Sequence, residues 1–187
     1  MIFTVESKKV KYSLGPVSSI EAFTFGEPGR RTFRLDVRSG QAFCSIWMEK
    51  EQLLQLGTYL KDVVDRQPKE ERERSTSPKA DGWTGGDLNV DFKAGQMLLS
   101  HDQESNSFYL QAYERETDEP ADEDNPQIGE TESVGFWVTA ARAGDLGQEA
   151  LIICAAGRPT CFLCGQPINP DGHACPRTSG HTVLEAG

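Results

Sequence analysis

Three of the five cysteines crowd near the C-terminus, in Cys161-Phe-Leu-Cys164-Gly and Gly172-His173-Ala-Cys175-Pro. Thiolates and imidazoles are zinc ligands. A Cys-x2-Cys bend with glycine after it presents two thiolates from one turn, and His-x-Cys brings a second pair across a short loop, a tetrahedral arrangement. The position three after Cys175 is Thr178, so the pattern is not a full four-cysteine ribbon and the fourth ligand is a histidine. His173 and His181 compete for that place. Gly172 frees the backbone before His173, whereas His181 stands near an untethered terminus. The expected set is Cys161, Cys164, His173 and Cys175, closed around a structural zinc.

Other chemistry fits these residues less well. A redox Cys-x2-Cys opens a helix whose dipole lowers a thiolate pKa, and Gly165 and Pro167 break any helix here. A catalytic zinc needs an open position and a nearby base, and Asp171 is the only acid in the ligand loop. Cys154, among Leu151, Ile152 and Ile153, and Cys44, alternating with Ile46 and Met48, have the setting of core residues. His101-Asp102 is expected at a turn without a nucleophile to serve. No phosphate loop, dinucleotide fingerprint or nucleophile elbow is present. Arg30, Arg31, Arg158 and Arg177 are candidate anion-binding side chains, and Arg30, Arg158 and Arg177, each beside a glycine or proline at a turn, are expected to lie near one another.

The elements that must position these groups come in two rounds. Phe23 and Phe25 alternate up to Gly26-Glu-Pro-Gly29, a type II turn signal. Phe33, Leu35 and Val37 then alternate with polar residues, and Ala42, Cys44, Ile46 and Met48 follow with Phe43 and Trp47 on the opposite face, as a strand covered on both sides would. From Glu49 the period changes: Leu53, Leu56, Leu60 and Val63 or Val64 step by three and four, which predicts an amphipathic helix over 49–66. Residues 67–87 carry prolines, glycines and a charge run, the composition of a mobile linker. A second set of strands is expected around Phe92 and Met97–Leu99, at Phe108–Ala112 and at Val134–Val138, followed by a helix over 140–156 with Thr139 placed to cap it.

A shift of 90 residues aligns Trp47 with Trp137 and Leu56-Gly57 with Leu146-Gly147, while the preceding strands align at 75. The second round has therefore gained residues between its last two strands. That insertion is the acidic tract over 114–132, which cannot pack and should loop into solvent. The expected fold is α+β: two repeats, about 21–66 and 91–156, each a three-stranded antiparallel meander with one covering helix. They form a body over 1–157, followed by a zinc-ribbon-like tail over 158–187.

Nineteen Lys and Arg against 29 Asp and Glu leave a net charge of −10, which disfavours a nucleic-acid partner. The odd cysteine count and the absence of an apolar leader at Met1–Val10 point to a reducing, cytoplasmic setting. The longest apolar run, Ala150–Ala156, is far shorter than the roughly 18 residues a membrane helix needs.

Gly26-Glu-Pro-Gly-Arg30 with Arg31-Thr-Phe33, Ala155-Ala-Gly-Arg-Pro159 leading into Cys161-x2-Cys164-Gly, and Asp171-Gly-His-x-Cys-Pro-Arg177 together resemble a bacterial family catalogued as a domain of unknown function, DUF3090-like, over nearly the whole chain. The resemblance implies no activity. It implies that the family shares the cysteines and histidine matching Cys161, Cys164, His173 and Cys175. The function expected is that of a cytosolic zinc-containing binding or regulatory module, whose partner is a protein or a small anionic ligand. The rivals are an enzyme acting on a small anionic metabolite in a cleft between the repeats, for which no acid-base pair is found, and a nucleic-acid adaptor.

Overall fold

The computed structural model describes residues 9–73, 78, 80–116, 131–157, 159, 161–165, 168, 172–175 and 177. Arg158, His181 and the acidic stretch 117–130 lie outside the described residues. The elements run β1 (Tyr12–Pro16), β2 (Ser19–Phe25), β3 (Thr32–Ser39), β4 (Ala42–Met48), α1 (Lys50–Asp65), α2 (Lys69–Glu73), β5 (Leu88–Asp102), β6 (Ser107–Glu114), β7 (Ser133–Thr139) and α3 (Ala140–Ala155). Along β3, Phe33, Leu35 and Val37 are buried, and Arg34 and Asp36 point to the other face. That is the pattern of a sheet with one face on a core. The outer face of β4 is partly covered by side chains of the neighbouring strand β3. Phe43 and Trp47 are half-buried there beneath the guanidinium groups of Arg38 and Arg34, which stand 4.4 and 5.0 Å from the ring centroids.

The class is mixed α/β with one seven-stranded sheet, in the order β1-β7-β6-β5-β4-β3-β2. Strands β2-β3-β4 and β5-β6-β7 are antiparallel within each set. The two sets are not separate meanders, however, because β4 pairs with β5 in parallel and β1 with β7 in parallel. The reason is the crossover: a chain that leaves β4 through α1 returns in the same direction. Strand β5 is shared. Its first part, Leu88–Lys93, pairs with β4, and from Ala94 onward, past a register shift, it pairs with β6. Strands β1 and β2 divide the same work at the other end. Val17 N–H donates to Trp137 O (3.0 Å) and Ser18 N–H to Arg38 O (2.8 Å), so two adjacent residues join both edges of the sheet and close it on itself.

The ladders of the two sets keep a common register. Trp47 stands opposite Arg34 and Lys93, as Trp137 stands opposite Tyr109 and Pro16. Phe25 faces Thr32 as Asp102 faces Ser107. Helices α1 and α3 are both 16 residues long and align at the same shift of 90.

Helix α1 buries Leu53, Leu56, Leu60 and Val64, and α3 buries Ala143, Leu146, Ala150 and Cys154. The helices meet at Gly57 and Gly147. A Cβ on Gly57 would lie 2.8 Å from Ala150 Cβ, and one on Gly147 would lie 3.1 Å from Gly57 O. No larger residue permits this approach. Glu49 and Gln52 form a capping box at the start of α1. Thr139 is the N-cap of α3, as expected, but its side chain makes no cap bond, and Ala140 N–H donates instead to Asn106 O at 3.2 Å.

The segment expected as a linker holds α2 and then lies against the sheet, with half-buried Trp83 donating its backbone N–H to Ser39 Oγ (3.3 Å) and its indole N–H to Gly86 O (2.9 Å). On either side of the acidic stretch, Glu114 N–H donates to Glu132 O at 2.8 Å. Among the described residues no helix is long and apolar enough to cross a membrane.

Replacing Gly57 by Val should cost at least about 2 kcal/mol in urea denaturation, because the added carbons overpack the helix contact. Gly86→Ala, where an added Cβ meets nothing within 4 Å, should stay within about 0.5 kcal/mol of the parent. Equal effects at both sites would remove the helix contact from the account of stability.

Candidate metal centre

The loop after α3 is anchored at both ends. The Arg31 guanidinium donates to Ala156 O, tying the end of the helix to the β2–β3 turn, where Arg30 N–H donates to Glu27 O at 2.9 Å with Pro28 and Gly29 (φ +96°) in the central places of a type II turn. Ile168 N–H then donates to Pro159 O at 2.7 Å and closes the base of the loop. Between them the Cys-x2-Cys bend turns back on itself, with Gly165 N–H donating to Cys161 O at 2.7 Å. Gly165 has φ +73°, a left-handed conformation that accounts for glycine after the second cysteine. The returning strand is held by Arg177, whose Nη1 donates to Leu163 O at 2.9 Å.

These anchors bring together Cys161, Cys164, His173 and Cys175, with one ligand atom of each within 4.8 Å of every other. Cys161 Sγ is 3.7 Å from Cys175 Sγ, and Cys164 Sγ is 3.2 Å from His173 Nε2. Sulfurs held tetrahedrally at about 2.3 Å from a zinc ion stand about 3.8 Å apart, so the observed spacing matches one shared ion. Cys161 and Cys175 are buried, and Cys164 and His173 are half-buried. The Cys161 thiol is held below its ordinary value chiefly by the backbone N–H of Cys164, then by that of Leu163 and by the Cys164 and Cys175 side chains, with burial opposing. Backbone N–H groups aimed at sulfur favour the thiolate that a metal requires. The group can hold a metal ion, and three sulfurs with one imidazole nitrogen are a donor set of the kind a tetrahedral site takes.

The other cysteines take no part. Cys44 is 1 % exposed, and burial pushes its thiol up to about 12. Burial also raises Cys154, against the pull of Lys50. His101 lies in the last part of β5 and not in a solvated turn: its ring stacks on Phe108 at 4.6 Å, and its Nε2 lies 3.0 Å from Asn106 Oδ1. No described contact joins the arginines grouped as anion ligands. The Arg177 guanidinium is engaged inside the metal loop, the Arg30 side chain is exposed, and Arg158 lies outside the described residues. Of the turn arginines, Arg31 lines a cavity, together with Lys50, which the sequence did not single out because an N-terminal helix lysine carries no distinguishing pattern. Phe162, inside the Cys-x2-Cys bend, is 93 % exposed.

The family described as "Protein of unknown function (DUF3090)" matches residues 12–175, and the chain belongs to that family. No curated protein and no solved structure matches it significantly.

Thiol labelling by iodoacetamide near pH 8 should leave the tail cysteines unreacted until a chelator is added. Cys161, Cys164 and Cys175 should then label, while Cys44 and Cys154, whose raised pKa keeps them protonated, should label only after unfolding. Tail labelling at one rate with and without chelator would mean that no metal protects these thiols.

Proposed function

We propose that this family member is a cytosolic binding module made of two duplicated strand-and-helix halves, with Cys161, Cys164, His173 and Cys175 holding one structural zinc ion. The observation that carries the metal reading is the mutual approach of the four ligand atoms within 4.8 Å. Three thiolates and an imidazole around one point suit zinc in geometry and softness, whereas calcium and magnesium take oxygen ligands. The common register of the two strand sets and the paired glycines of α1 and α3 support the duplication.

A closed site supplies no vacant position for water, so the metal's work is to hold shape. The loop it organises has little apolar surface of its own to bury, and for small modules of that kind metal binding is folding free energy, about 10–16 kcal/mol at structural zinc sites in isolated fingers. What it would hold rigid is Phe162, a large aromatic ring projecting from the knuckle. Exposed aromatic anchors on rigid turns are the residues that binding surfaces use. A net charge of −10 supports a partner other than nucleic acid, and reduced thiols fit the cytosol.

Elemental analysis of the purified protein should find one zinc per chain. His173→Ala should lose most of it, and His181→Ala should retain it. Full zinc in the first variant and none in the second would transfer the ligand role to His181, and a metal-free parent protein would end the metal reading.

A further inference from the structure

Beside the root of the metal loop, a cavity of about 200 Å³ lies between the β2–β3 turn, the first turn of α1 and the end of α3. Its wall is formed by Phe33, Ile153 and Cys154 and by two cations, Arg31 and Lys50, with no carboxylate among the described lining residues. Of the acids in the same turn, Glu49 is occupied by Lys93 at 2.6 Å, and Glu51 lies close enough to help raise the Cys154 thiol. The two larger cavities differ in character. One, about 400 Å³, is lined by neutral residues such as Gln52, Tyr59 and Met97, and the other, about 440 Å³, mixes Lys61 and Arg72 with Asp65 and Asp145.

One buried polar atom of the cavity wall lacks a partner, and a second stands on the adjoining strand. Arg31 gives one Nη1–H to Ala156 O, but its Nε is buried with no hydrogen-bond partner. Thr24, which pairs with Phe33 across β2 and β3, has a buried Oγ1 in the same condition. Leaving such donors unsatisfied costs about 1–3 kcal/mol each. The corresponding corner at the other end of the sheet has solved this problem internally. There His101, paired with Phe108 as Thr24 is with Phe33, stacks on that ring and meets Asn106, and Asn106 exchanges bonds of 2.8 and 3.0 Å with Gln67. One corner is filled by its own side chains. The register-equivalent corner is an open cavity with two positive charges.

We propose that this cavity binds an oxyanion of phosphoryl size, with Arg31 and Lys50 as its charge partners. Guanidinium N–H groups arranged as a fork match oxyanion geometry, and an ammonium adds a point charge. The volume lies below the roughly 300–1,000 Å³ filled by drug-sized ligands, so the recognised part is one anionic group, and any larger remainder of the molecule stays outside. Arg31 thereby couples ligand to fold, since the same side chain bonds the end of α3 from which the metal loop hangs. The inference names a ligand class for the binding-module reading and rests on that reading, but not on the metal.

The test is titration of the full chain with inorganic phosphate, read from the Arg Nε–H resonances by NMR, with sodium chloride at matched ionic strength as the reference. Zinc content and thermal midpoint are measured on every sample. One Arg resonance should shift saturably with phosphate and not with chloride, and Arg31→Gln should abolish that response. Lys50→Gln should weaken binding by about tenfold or more, the loss expected for one charge-assisted contact. If Arg31→Gln does not fold, Lys50→Gln, altered at an exposed side chain, carries the test. Absence of a saturable shift, or undiminished binding in Lys50→Gln, would overturn the proposal. Saturable binding in a protein that contains no zinc would overturn the metal reading alone.

Discussion

The constraint on which the rest depends is the contact of α1 with α3 at Gly57 and Gly147, where backbone meets backbone because neither position carries a side chain. Helices crossing through a pair of glycines can sit closer than the usual 8–10 Å between axes. Both helices bury an apolar face, Leu53, Leu56, Leu60 and Val64 on α1 and Ala143, Leu146, Ala150 and Cys154 on α3. The end of α3 is the foundation of the metal loop. Arg31 bonds the carbonyl just past the helix, Ile168 closes the loop on Pro159, and the four ligands follow at short range.

Closure of the sheet supplies the second condition. An open seven-stranded sheet would leave β1 and β2 as free edges, and edges invite pairing with other chains. Val17 and Ser18 prevent this by bonding β7 and β3 in turn. Part of the remaining edge of β2 is taken by α3, since Glu149 accepts the Ala22 N–H at 3.3 Å. The corresponding length of β5 has Tyr59 of α1 near it and a groove between. The two strand sets therefore agree in ladder register and differ in how their corners and edges are finished.

What could be read from residue order was whatever depends on near neighbours. Alternation of Phe33, Leu35 and Val37, the three-and-four stepping of Leu53, Leu56, Leu60 and Val64, and the Cys-x2-Cys with His-x-Cys all carry their meaning within a few positions, and all appear in the structure. Pairing between distant segments was not legible. Nothing in Tyr12–Pro16 announces a parallel partner in β7, since that register is decided by the closed sheet and not by the short strand. The capping role of Glu49 was missed because a glutamate before a helix is common, and Thr139 was credited with a side-chain bond it does not make. Arg30 and Arg31 are both turn arginines with an anion-binding look, and of the two it is Arg31 that lines the cavity, a placement decided by the fold of the turn and not by the residue type.

The central claim is that three thiolates and one imidazole share a single zinc ion. X-ray absorption at the zinc edge of the protein as purified tests it most directly, because it reads ligand type and distance together. The account predicts about three sulfurs near 2.3 Å and one nitrogen near 2.0–2.1 Å in a four-coordinate shell. A shell of oxygen and nitrogen alone, or one with a bound water in place of the histidine, would contradict it.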